Sequence, residues 1–315
     1  PMSDGARSTE VLVVGSSNMD LISYVPRLPQ LGETLHGTTF SMGFGGKGAN
    51  QAVSGARLGA RVSMVSKVGD DMFGKSTIEN YARCGVDTEH VLVEAGASTG
   101  VAPICVDPEG NNSIVIVSGA NLLLTPAELD ARRALFGSAK VLVCQQEIEA
   151  TTTAHALQLG REEGTITVLN PAPASGPLPR EVVSACDVIC PNEVEVAQLT
   201  GVAVDSDEAA VHAARKLLEL GARAVVITLG AGGCLVAEGE SVSRVEAPRV
   251  DVVDTVGAGD CFIGTMAVRL ARGDSLVDAC RVAVRVASVS VQRRGTQISY
   301  PTLEELPEEL REMVT

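Results

Sequence analysis

The sequence predicts an α/β protein built on a mainly parallel sheet. Strand-like apolar runs alternate with helix-like runs from about residue 45 onward, and that alternation implies right-handed crossover connections. Apolar residues make up 45% of the chain, aromatics only 3%, and Trp is absent, so small aliphatic residues must fill the core. A parallel sheet covered on both faces has that composition. At 315 residues the chain can form one large domain or two small ones.

Taken in order, residues 1–8 are polar and read as a disordered N-terminal segment, with one domain over 9–315. A strand at Val62 to Val65 precedes a helix at Lys75 to Arg83. Val141 to Cys144 precedes Ala150 to Glu163, Val168 precedes a loop and a short helix, and Ser206 to Leu220 precedes the strand Val225 to Leu229. Residues 17–41 and 98–119 break this pattern. They are β-rich, with turn residues such as Asp107-Pro108-Glu109-Gly110-Asn111-Asn112, and read as one small sheet beside the main body. The tail Leu303 to Met313 reads as a short charged surface helix.

Asp254-Thr255-Val256-Gly257-Ala258-Gly259-Asp260 places two acids around a run of small residues. Phe262, Met266 and Leu270 follow at helical spacing, with Gly273 as a candidate C-terminal stop. Gly257, Ala258 and Gly259 therefore fall in a first helical turn, whose free N–H groups bind anions and whose small residues let a phosphate approach. An acid there opposes a phosphate unless it accepts a proton from an attacking hydroxyl. A capping role explains Asp260 alone equally well, but not the small run before it. A second cluster, Gly43-Phe44-Gly45-Gly46-Lys47-Gly48-Ala49-Asn50, precedes the apolar-periodic run Gln51 to Leu58. Alone it reads either as a ligand loop or as a flexible turn.

Gly69-Asp70-Asp71-Met72-Phe73-Gly74-Lys75-Ser76 matches the P-loop pattern formally. Asp70 and Asp71 would put two negative charges into a phosphate cradle, so the segment reads instead as a strand-to-helix turn capped by a carboxylate. A net charge of -14 argues against nucleic-acid or anionic membrane partners. No apolar run reaches membrane-spanning length, no leader-like core is visible, and Pro1 ahead of Met2 reads as an added residue. The ending Met313-Val314-Thr315 is not a peroxisomal signal of the S-K-L type. Eight scattered cysteines without a C-x-x-C pair read as reduced core residues, which points to the cytoplasm, with a nuclear or organellar pool left open. Four isolated histidines make zinc an unsuitable cofactor.

The two glycine clusters together resemble the two signatures of the ribokinase (PfkB) family of sugar kinases. The resemblance extends in family order through Gly15-Ser16-Ser17-Asn18-Met19-Asp20, Thr99-Gly100-Val101-Ala102, Ser118-Gly119-Ala120-Asn121 and Gln146-Glu147. It continues through Asn170-Pro171-Ala172-Pro173-Ala174, Pro191-Asn192-Glu193-Val194-Glu195, Thr228-Leu229-Gly230-Ala231-Gly232-Gly233 and Gly295-Thr296-Gln297. It implies a three-layer α/β/α sandwich whose small sheet is a lid over a sugar and an interface for a homodimer.

The resemblance further implies ATP-dependent phosphorylation of D-ribose at its 5-hydroxyl. Asn18, Asp20, Gly46, Lys47, Asn50 and Glu147 would surround the sugar hydroxyls. ATP would lie along Asn192, Thr228, Gly230, Gly232 and Gly233. Asp260 would be the base, with the N–H groups of Gly257, Ala258 and Gly259 on the transferring phosphoryl group. Mg²⁺ would bridge the phosphates mostly through water, with Glu195 in its outer shell. A K⁺ ion would take Asp254, the carbonyls of Val256, Ser290, Arg293 and Gly295, and the Ser299 hydroxyl. Val284 departs from the family, which commonly places His or Asn beside the adenine; an aliphatic residue there puts base selectivity in question. Alternatives are a family kinase for 2-deoxyribose, fructose or a nucleoside, and a sugar-binding regulator without catalysis.

Overall fold

In the computed structural model, which describes residues 9–315, the chain forms two sheets and eleven α-helices. In chain order the first half comprises β1 (Thr9–Val14), β2 (Asn18–Tyr24), β3 (Thr39–Gly45), α1 (Lys47–Arg57), β4 (Val62–Gly69), α2 (Met72–Arg83), β5 (Val86–Asp87), β6 (Val91–Glu94), β7 (Gly100–Val106) and β8 (Asn112–Ile114). The middle comprises α3 (Pro126–Asp130), α4 (Arg133–Ser138), β9 (Ala139–Cys144), α5 (Ala150–Glu162), β10 (Ile166–Leu169), α6 (Arg180–Ser184), β11 (Val188–Ile189), α7 (Glu193–Thr200) and α8 (Asp207–Glu219). The last part comprises β12 (Ala224–Thr228), β13 (Cys234–Glu238), β14 (Ser241–Val245), α9 (Ala258–Ala271), α10 (Leu276–Ser290) and α11 (Glu308–Val314).

The large sheet runs β14-β13-β12-β11-β10-β9-β1-β4-β5, with β6 also pairing β4. It is parallel except for β13, which pairs antiparallel with both neighbours. Alternation along β1 shows why the sheet is sandwiched. Val11 and Val13 face a core shared with α1, α9, α10 and α11, while Leu12 and Val14 face a second core shared with α4, α5, α6 and α8. Both faces are dry, so the strands read as continuous apolar runs. The three-layer α/β/α expectation is met.

The segments that broke the alternation supply a separate four-stranded sheet in the order β3-β2-β7-β8, with Asp107 to Asn111 turning between its last two strands. The tail differs from its expectation. Pro307 caps α11 and separates it from a single 3₁₀ turn, Leu303–Glu305, because proline is tolerated at a helix start but breaks a helix interior. Leu306, Leu310 and Val314 are buried, so the tail is a packed amphipathic strap, not a surface helix. The expectation for residues 1–8 lies outside the described residues.

Candidate active site

The parallel strands β1, β9, β10, β11 and β12 end at one edge of the large sheet, where open α/β sheets present ligand groups. A cleft of about 180 Å³ opens there, lined among others by Lys47, Asn170, Asn192, Glu195, Thr228, Gly259 and Asp260. These residues come from strand ends or from the first turns of α1, α7 and α9.

Gly257 caps α9 with φ 79°, a left-handed conformation that a side chain resists, and the Tyr300 hydroxyl donates to its carbonyl at 3.1 Å. Helix α9 then starts at Ala258, so the small run does form a helix N-terminus beside the cleft, where the Ala258 N–H donates to Thr255 O at 3.2 Å. Asp260 sits in that first turn, 7% exposed. Asn50 donates to its Oδ2 at 2.9 Å and Gln51 to its Oδ1 at 2.8 Å.

The second glycine cluster ends β3 and starts α1, with Gly46 as the cap at φ 88°. Glu147, just after β9, draws this loop in: its Oε2 accepts the N–H of Lys47 and the hydroxyl of Ser16. Burial disfavours charge on Lys47, but Asp260, Glu147 and Glu195 outweigh it and raise its pKa. Asp20 is pushed up to about 6, first by burial and then by the negative Glu147. Asn18 Oδ1 accepts from Asn121 at 2.7 Å. Asn192 and Glu195 form a reciprocal capping box at the start of α7. Burial, opposed by the Asn192 N–H and Lys47, raises the Glu195 pKa, and Asp260 adds to the rise.

Asp254 lies three residues before Gly257. Its Oδ1 accepts from Val256 N–H at 3.0 Å and its Oδ2 from Gly295 N–H at 2.9 Å, so the segments of the expected cation ligands meet there. Ser299 donates to Thr296 O, Ser290 to Ala287 O, and the Arg293 side chain pairs with Glu305. Thr228 lines the cleft, whereas Gly230, Gly232 and Gly233 form the turn between β12 and β13, with Leu229 N–H bonded to Gly233 O. Val284 is buried within α10 and packs into the core.

Several polar residues in the site had no assigned role from sequence. Ser16, Asn121, Asn170 and Gln297 lie inside the quoted motifs, and that position was their signal. Gln51 and Gln145 lie one residue outside them.

The profile of pfkB family carbohydrate kinases matches residues 8–303. The chain belongs to the pfkB family of carbohydrate kinases. A ribokinase of Mus musculus is 45% identical over 301 residues, covering 94% of this chain and 93% of that protein. A deoxyribokinase of Salmonella typhi is 40% identical over 301 residues, covering 96% and 98%. The structure of Arabidopsis thaliana ribokinase complexed with ribose and ATP superposes with a TM-score of 0.91 at 31% identity, covering 98% of this chain and 99% of that one. Family membership accounts for the placement of both glycine clusters at one cleft.

Proposed function

We propose that the chain is a ribokinase, transferring the γ-phosphoryl group of ATP to the 5-hydroxyl of D-ribose. One observation carries the chemistry: a buried carboxylate, Asp260, stands in the same helical turn as the N–H groups of Ala258 and Gly259. A base and an anion hole at one place suit a hydroxyl attacking a phosphoryl group. Mouse ribokinase and the ribose–ATP complex of the Arabidopsis enzyme support the substrate pair.

In this reading Asp260 takes the 5-hydroxyl proton, and the N–H groups of Gly257, Ala258 and Gly259 hold charge on the transferring group. Asn18, Asp20, Gly46, Lys47, Asn50 and Glu147 hold the sugar. Carboxylates and amides suit vicinal diols, and an absent hydroxyl would leave them unpaired. ATP extends along Asn192, Thr228, Gly230, Gly232 and Gly233, with Val284 on the adenine side.

The residues fit Mg²⁺: Glu195 spends one oxygen on Asn192 N–H, while burial and Asp260 disfavour its charge, a penalty a divalent ion would relieve. When bound with ATP, Mg²⁺ would neutralise phosphate charge, and Glu195 would help to hold it through water. K⁺ would sit beside Asp254, whose two oxygens each accept one N–H and retain lone pairs, and the carbonyls of Val256, Ser290, Arg293 and Gly295 and the Ser299 hydroxyl would complete its shell. A homodimer through the small sheet is supported by Phe40 and Met42, two residues apart on β3 and 58% and 57% exposed. Eight unpaired thiols suit a reducing, cytoplasmic setting.

The Salmonella deoxyribokinase, at 40% identity, favours 2-deoxy-D-ribose as a second reading. A panel of D-ribose, 2-deoxy-D-ribose, D-fructose and a nucleoside with MgATP, scored for ADP release, tests both. D-ribose should give the highest kcat/KM; preference for 2-deoxyribose would replace the substrate, and no turnover of any would overturn the kinase reading.

A further inference from the structure

The carboxylate of Asp260 rests on two amide side chains, one for each oxygen. Asn50 and Gln51 are consecutive on α1, and consecutive helical residues point about 100° apart. Both reach one carboxylate because α9 packs very close to α1. Gly264 on α9 permits this: a Cβ there would lie 2.6 Å from the Gln51 carbonyl oxygen and 2.8 Å from the Ser54 Cβ.

A carboxylate can only accept, so Gln51 must turn its NH₂ toward Asp260. Its second N–H goes to Asn170 Oδ1 at 3.0 Å. Its own Oε1 must then accept, and Gln145 Nε2 donates to it at 2.7 Å. Gln145 is thereby fixed with its Oε1 pointing away. That oxygen is buried without a hydrogen-bond partner, in the space left by Gly15, where a Cβ would lie 2.0 Å from it. A buried, unpartnered carbonyl is uncommon in native proteins and calls for a reason. The reason here is orientation. Reversing Gln145 would set two amide oxygens against each other, and the remedy would turn the Gln51 oxygen onto Asp260.

We infer that Gln145 and Gln51 are positioning residues that fix the catalytic base. They tie down Oδ1 and leave Oδ2, on the Asn50 side, to receive the proton of the incoming hydroxyl. This rests on the kinase reading of Asp260. Neither glutamine touches the reacting atoms. Lys47 from α1, Glu195 from α7 and the Tyr300 phenol also face Asp260 and are unchanged in the variants below.

The test is the full chain with ribose and MgATP, comparing wild type, Gln51→Met, Gln51→Glu, Gln145→Met and Asp260→Asn. Gln51→Met should lower kcat about tenfold or more, leave both KM values within about threefold, and move the acidic limb of kcat to higher pH, since the carboxylate loses a donor. Gln51→Glu should move that limb further, because it sets a second acid against Asp260. Gln145→Met should act in the same direction but less, and Asp260→Asn should lie below all three. Should Gln51→Met fail to fold, as read from its melting temperature, Gln145→Met decides. Wild-type kcat and an unmoved limb in the folded variants overturn the relay, as does a rise in ribose KM in step with the loss of kcat. Absence of ribose turnover by wild type overturns the kinase reading instead.

Discussion

Glu147 accepts the backbone N–H of Lys47 at 2.8 Å, across 100 residues of sequence. The same oxygen takes the Ser16 hydroxyl, so one carboxylate ties the β9 edge to the glycine loop and to the segment after β1. Glu147→Ala would leave both donors unpaired in a half-buried place, at a cost of about 1–3 kcal/mol. It should also raise the ribose KM by about tenfold or more, because the loop that holds the sugar loses its anchor. Glu147→Gln, which keeps an acceptor, should do much less to stability. Equal melting temperatures for wild type and Glu147→Ala would refute the anchoring role.

The pH dependence of sugar binding follows from Asp20. Its pKa is pushed up to about 6 by burial and by Glu147, so it becomes neutral below that pH. A protonated Asp20 accepts sugar hydroxyls poorly. At saturating ATP, kcat/KM for ribose should therefore fall as pH drops below about 6, by up to about tenfold per unit. Glu147→Gln removes a like charge and should shift the limb to lower pH, and Asp20→Asn should remove it. For the sugar-free protein the stability sign is opposite. The raised pKa favours the folded chain when Asp20 is protonated, so its contribution is full below the ordinary value of 3.8 and is lost as pH rises through about 6. A flat ribose profile from about pH 5 to 7 would count against the assignment.

Lys75 should be dispensable. Asp71 caps α2 through Gly74 N–H at 2.8 Å and also holds the N–H and hydroxyl of Thr99. The turn's own carboxylate thus occupies the amide a phosphate would need, and Lys75 is exposed on the helix behind it. Lys75→Ala should change kcat/KM by less than about threefold. A hundredfold loss in a folded variant would reinstate a phosphate-binding role for this loop.

The arrangement around Asp260 was legible because it is local in sequence. The small run and Asp260 meet at the start of one helix, so their spacing alone places an acid beside a run of small residues at a helix N-terminus. Strand-like apolar runs and helix-like runs likewise marked β4, β9, α5 and α8 within a few residues. Amide relays leave no such trace. Gln145 meets Gln51 across 94 residues, and Gln297 meets Asn50 across 247. Which end of an amide points inward depends on partners that only the fold assembles. The tail was misread for a related reason: its charged residues dominate by number, while the three apolar ones bury in a core that only the fold assembles.

Asp260→Asn separates shape from proton affinity. Asparagine has one oxygen where Asp260 offers two, so the donors of Asn50 and Gln51 cannot both be satisfied. We expect kcat to fall by at least about 10²–10⁴ through loss of the base, with ribose still binding. Isothermal titration with ribose and single-turnover ADP release measure the two effects apart. A variant that keeps more than about a tenth of wild-type kcat would remove Asp260 from the role of base.

Activity should depend on K⁺ through Asp254. This carboxylate accepts from Val256 and Gly295, and so joins the approach to α9 with the segment after α10. A cation among these carbonyls would order the Gly257–Gly259 run before ATP arrives. It would act by preorganisation without touching substrate, so its benefit should appear mainly in kcat. K⁺ should outperform Na⁺, because a roomy carbonyl-rich cage suits the larger ion. Asp254→Ala removes the charge and both N–H contacts, and should lower activity in any salt and abolish the response to K⁺. Rates measured in K⁺, Na⁺ and a bulky organic cation at constant ionic strength decide the point. Equal wild-type rates in all three would refute the ion site and leave the kinase assignment standing.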